Sequence, residues 1–230
     1  MEKIYGHYLG KYDYYLEIAE LELCLVYFDD VKKLKCFSYL LRKEPNYYSE
    51  ILKIIYKKKK DNEYIEEKIE GKVVDNLYSL YLKLDFCPCT HESYDIKSEE
   101  LLEWVEAFKD LLKQQNQSYL FASELGKLFA NSPKGKDGFY PHESVREIIE
   151  KFSGDKLKEL QRSYEIKVCG KRRVYTPDQG KTEMKLSNDF KDNADGIRLF
   201  SPNTAEIYYN LSKLYKAESE REKERAIYNQ

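Results

Sequence analysis

Apolar residues in this chain recur three and four positions apart, segment after segment, and do not alternate over the four to eight residues that a half-buried strand needs. Leu16, Ala19, Leu23 and Val26 share one helical face of YDYYLEIAELELCLVYF. LKCFSYLLRKEP continues helical and should stop before Pro45, because a proline pushes the residue ahead of it out of the α region. Asn46 is the expected cap of the next helix, with Tyr48, Ile51, Leu52 and Ile55 as its stripe. The Lys57 to Lys60 run suits a last helical turn, where cations meet the negative end of the dipole. A phosphate-binding patch is the alternative, but acidic residues follow the run at once.

Further on, the period predicts a helix from Ile65 to Leu84. Another follows Ser98 as its cap, with Leu101, Leu102, Val105, Phe108, Leu111 and Leu112 as a wide apolar face. SYLFASELGKLFANSP is a shorter helix, and KGKDGFYP is a Gly/Pro loop. HESVREIIEKF and DKLKELQRSYEIKV are two helices broken at Ser153-Gly154, with Glu143 placed to meet the positive dipole end of the first. Helix resumes near Lys181, and Ser201 with Pro202 opens the final helix as N-cap and first helical residue. Its expected stripe is Ala205, Tyr208, Leu211 and Leu214, and its charged tail beyond Tyr215 reads as a solvated extension. Only 10 Gly and 6 Pro in 230 residues agree with long helices rather than a turn-rich β fold.

The reading is therefore an all-α, irregular antiparallel stack of helices, related in logic to helical repeats, with one long basic loop. The loop from Ser132 to Pro141 divides it into halves, 1–132 and 133–230, of what is expected to be one continuous body.

Charge excludes some functions. With 39 basic and 41 acidic residues the chain carries no global field to draw in nucleic acid or an anionic membrane. No run approaches the roughly 20 apolar residues of a membrane span. The first residues lack the apolar core of a secretion signal. Five cysteines, an odd number, point to unbridged thiols in a reducing compartment, so the expected location is the cytoplasm.

FCPCTHE, with Cys87, Cys89 and His91, is the first place to look for chemistry. A structural zinc usually takes four nitrogen or sulfur ligands in paired short motifs. This spacing is C-x-C-x-H without a second pair. A redox pair prefers C-x-x-C. The better reading is a turn between two helices, with a metal-dependent enzyme built round these three residues kept as an alternative. No phosphate-binding loop, dinucleotide fingerprint or nucleophile elbow occurs, and HESVR has no second histidine to complete a zincin motif. No catalytic residue, metal or cofactor is assigned.

The most functional-looking cluster is basic: Lys167, Lys171, Arg172 and Arg173, followed by Tyr175 and Lys181. Paired arginines beside an aromatic can hold phosphate or stack on a base. They can equally pair with Asp178, Glu183 and Asp189 nearby.

Tyr140-Pro141 with Val145-Arg146, Gly170 to Arg173, Gly180 with Glu183, and Ser201-Pro202 with Ala205 resemble a helical region in the C-terminal part of large, uncharacterised bacterial proteins. Some of those are encoded among antiviral defence genes. That region carries tryptophans before its prolines, where this chain has Tyr140 and Ser201, and its turn differs from CGKRRV. The resemblance implies a non-enzymatic helical module beside an effector supplied elsewhere. The expected function is thus protein interaction, sensing or scaffolding, with a protein partner. Nucleic-acid binding through the basic 167–181 loop is the second reading.

Overall fold

The computed structural model describes residues 35–56, 71–91, 93–170 and 178–228. The expected helix from Tyr12, the Lys57 to Lys60 run and the first residues of the Ile65 helix lie outside them. The protein is all-α: among the described residues there are nine α-helices, one short 3-10 turn and no strand. The helices are α1 (Lys35–Lys43), α2 (Pro45–Ile55), α3 (Gly71–Lys83), α4 (Ser98–Gln114), α5 (Phe121–Phe129), α6 (Glu143–Ile149), α7 (Gly154–Gly170), α8 (Lys181–Ile197) and α9 (Pro202–Tyr228). None of the described helices is long and apolar enough to cross a membrane.

Two compact units form. The first comprises Met1–Cys89 and Glu103–Ser118, and the second comprises Thr90–Leu102 and Tyr119–Gln230. The Ser132 to Pro141 loop, expected to separate two halves, lies inside the second unit.

In the first unit α2 packs against both α1 and α3. Tyr48 of α2 is the aromatic hub. Its ring meets Phe86 edge-on at 5.6 Å, Phe108 at 5.7 Å and Tyr81 at 6.5 Å. Leu40, Leu41, Leu52, Leu80 and Leu112 are buried with it. Each such side chain contributes about 1.5–3 kcal/mol by leaving water. Pro45 stands at the first position of α2 with Glu44 at the N-cap, so Asn46 is not the cap expected of it. Proline pre-sets the helical φ and has no N–H to satisfy, which moves the start two residues earlier. Asn46 instead accepts, through its carbonyl, the Ser49 hydroxyl at 2.8 Å.

In the second unit α5 lies against α7, α8 lies against α9, and α9 also touches α6 and α7. The α5–α7 approach is close because Gly126 has no side chain. A Cβ there would stand 2.3 Å from the Leu160 carbonyl oxygen. Ser98 is the first residue of α4 rather than its cap: the Leu101 N–H bonds the Lys97 carbonyl, and the Ser98 hydroxyl donates to Ser144 Oγ. Ser201 does open α9, accepting the Ala205 N–H at 2.9 Å. Along α9 the buried apolar positions are Ala205, Ile207, Tyr208, Leu211 and Tyr215, whereas Leu214 is exposed. The tail is not simply solvated, because Ser219 is fully buried and donates its hydroxyl to the Gly180 carbonyl at 2.7 Å.

Candidate functional site

The six cationic and aromatic residues expected to bind a partner are only partly in view. Lys167 sits half-buried on α7 and Lys181 is the exposed first residue of α8. Lys171, Arg172, Arg173 and Tyr175 lie outside the described residues. Asp178, one of their possible acidic partners, is engaged with its own helix: its carboxylate accepts the Thr182 N–H at 3.0 Å and the Thr182 hydroxyl. The Thr182 hydroxyl, set against a smaller opposing effect of burial, then the helix-start amides, hold its carboxyl below the usual range. Glu183 is buried and Asp189 is exposed.

FCPCTHE is the connection between α3 and α4, with Pro88 and Cys89 in the turn itself. Cys89 adopts a positive φ of 55°. Its N–H donates to the Arg42 carbonyl at 3.0 Å. Cys87 and Cys89 are buried thiols of the first unit. His91 belongs to the second, where its Nε2 meets a Glu100 carboxylate oxygen at 3.1 Å. Among the described residues no group of three or more His, Cys, Asp or Glu is arranged to hold a metal ion.

The richest polar cluster is elsewhere, in the second unit, around the loop 133–141 and the start of α6. Gly138 turns this loop at φ +83°, a left-handed conformation that glycine adopts without cost. The Gly135 N–H closes the turn on the Phe139 carbonyl at 2.8 Å. Asp137 accepts the Phe139 N–H at 3.1 Å and pairs with Arg146, whose side chain is only 3% exposed. Burial acts against the charged carboxyl, but the Arg146 hydrogen bond, the Phe139 amide and the Arg146 charge outweigh it and hold Asp137 below its ordinary range. The Glu143 carboxylate accepts the Lys136 N–H at 3.1 Å. Asn193 of α8 grips Tyr140 at both backbone groups, its Oδ1 accepting at 2.8 Å and its Nδ2 donating at 2.7 Å.

His142 ties these parts together. It is the N-cap of α6, and its Nδ1 accepts the Ser144 N–H at 3.3 Å. With that nitrogen an acceptor, the ring proton sits on Nε2, directed at Asp95 Oδ1 at 3.1 Å. Asp95 also takes the Lys136 ammonium at 3.2 Å. The Lys136 hydrogen bond first, then a smaller opposing effect of burial, then the His142 contact, keep the Asp95 carboxyl low.

An aspartate behind an imidazole is two-thirds of a nucleophilic triad. Here the other nitrogen faces a backbone amide and not a hydroxyl. Of the nearby serines, Ser132 Oγ accepts the His142 N–H, and Ser144 Oγ donates to the Ile96 carbonyl. These hydroxyl, acid and imidazole groups fix the loop and cap a helix. Sequence reading placed His142 and Glu143 at a helix start but missed Asp95, Asp137 and Asn193. Their contacts span 47, 9 and 53 residues, and no short motif joins them.

Beside this frame lies an uncovered apolar surface. Leu199 is 88% exposed, Phe200 59% and Tyr140 41%. Tyr140 is held by Asn193 and Phe139 abuts Gly196, both near the end of α8, and Leu199 and Phe200 follow just after that end. The Phe200 ring lies 5.6 Å from the Arg146 guanidinium, and Lys134 stands 5.3 Å over the Tyr140 ring.

No family model matches this chain, and no match is found among curated proteins or solved structures.

Proposed function

We propose that this chain is a non-enzymatic helical module that binds a protein partner through the surface of Tyr140, Leu199 and Phe200. The observation carrying the reading is a contrast in one place. Polar groups of the 133–146 region fix a loop, and beside them Tyr140 of that loop and Leu199 and Phe200 after α8 are exposed. Isolated exposed leucines are ordinary, but several large apolar groups held together by a rigid frame are the usual mark of an interaction surface. The resemblance of most of the chain to a helical region in the C-terminal part of large bacterial proteins, some of them encoded among defence genes, leans the same way, toward a module that docks beside an effector.

The test is affinity capture from the native cell, comparing the natural chain with a Leu199→Asp, Phe200→Asp double variant of matched thermal stability. A protein recovered only with the natural chain supports the reading. Equal recovery by both overturns it. Recovery of nucleic acid that falls steeply with salt and depends on Arg172 and Arg173 would favour the basic loop instead.

A further inference from the structure

The ring of His142 performs two opposed tasks. Through Nδ1 it accepts the Ser144 amide and caps α6, and through Nε2 it donates to Asp95. Both are possible only for the neutral ring, since a protonated imidazole donates at both nitrogens and accepts at neither. Nδ1 has one alternative acceptor, Glu143 Oε2 at 3.7 Å, and that same oxygen now holds the Lys136 amide of the loop. We propose that His142 is an acid-sensitive latch on the loop 133–141: a second ring proton withdraws the α6 cap and draws Glu143 from Lys136 to the imidazolium, loosening the loop.

The charged groups facing the buried ring are of both signs. Asp95 in the segment before α4 is already an anion aimed at Nε2, and Glu143 on α6 is the carboxylate nearest Nδ1. Lys136 on the loop opposes the added charge but is itself held by Asp95, and Lys97 also feels Asp95. Asp137 and Arg146 form a pair of their own one turn further on. The positive end of the α6 dipole disfavours a cation at its cap, so the cap is the contact that gives way. The inference does not depend on the proposed docking surface, because its readout is local opening and needs no partner.

The experiment is residue-resolved amide hydrogen exchange on the whole chain at about pH 8 and about pH 5, corrected for intrinsic rates and referenced to the Leu125 and Leu160 amides. The Ser144 and Lys136 amides are expected to lose roughly tenfold protection in acid while the reference amides do not, the scale of one lost helix cap. His142→Asn keeps an acceptor at the cap without the second proton, and should abolish the acid effect. Glu143→Gln retains an acceptor for Lys136 without the charge that draws it to the ring, and should confine the acid loss to Ser144. Unchanged protection in acid, an equal loss in His142→Asn, or an unaltered Lys136 loss in Glu143→Gln would each overturn the latch.

Discussion

The hydroxyls of Tyr164 and Tyr208 meet at 2.7 Å in the interior of the second unit, with their rings 6.0 Å apart and steeply inclined. Each phenol is the other's hydrogen-bond partner. Removing the Tyr164 hydroxyl takes from the buried Tyr208 phenol the group it bonds, which costs desolvation, whereas removing both leaves an apolar contact of nearly the same shape. Tyr164→Phe is therefore expected to lower stability by about 1–2 kcal/mol in urea unfolding, and adding Tyr208→Phe to cost less than the two single changes summed. Burial, then Tyr164, pushes the Tyr208 phenol well above its ordinary value. The unfolded phenol ionises first, so the folded state binds more protons and stability falls as pH rises past about 10. Tyr208→Phe should flatten that alkaline decline. An unchanged slope would show that Tyr208 does not carry it.

Among the elements, α5 and α7 are set by the absence of an atom. Gly126 faces the backbone of α7, with the Leu160 oxygen at 2.3 Å and the Tyr164 nitrogen at 3.0 Å from where a Cβ would stand. Rigid backbone cannot step aside as a flexible side chain can. Gly126→Ala, which raises intrinsic helix propensity, is nonetheless expected to destabilise by about 1–3 kcal/mol or more, seen as a lowered urea midpoint. At the start of α9 the Glu150 carboxylate accepts the Asn203 and Thr204 amides at 3.1 and 2.9 Å, a cap supplied from more than 50 residues upstream. These two cases show where sequence reading stops. The opening of α9 at Ser201-Pro202 was legible because proline chemistry is local. The alternation of helix and loop was legible because the 3.6-residue period is written in the apolar residues. Glu150 and Gly126 were not, since their significance lies in partners distant along the chain. Tyr215 was passed over for Leu214 for a related reason: adjacent residues point about 100° apart, and the neighbouring helix, not the period, decides which of them turns inward. At the site, His142 and Glu143 were read as a helix start and are one, while the loop anchors Asp95, Asp137 and Asn193 left no mark in spacing.

On the scale of the whole molecule, neither compact unit is a single uninterrupted stretch of chain. The second draws on 90–102 as well as 119–230, and the first draws on 103–118 as well as 1–89. The segment 133–230 alone lacks Asp95, Ile96 and Ser98, which hold His142 and Ser144, and also lacks α5, on which α7 packs. Its helicity by far-UV circular dichroism should fall well short of that of 90–230, and only the longer piece should unfold cooperatively in urea. Equal behaviour of the two would mean that 90–132 is dispensable to the second unit. The interleaving also bears on heredity. A recombination event copies one continuous run of codons, so it cannot carry off the first unit without the second's 90–102, nor the second without the first's 103–118. Two units interleaved along the sequence in this way can be transferred whole only together.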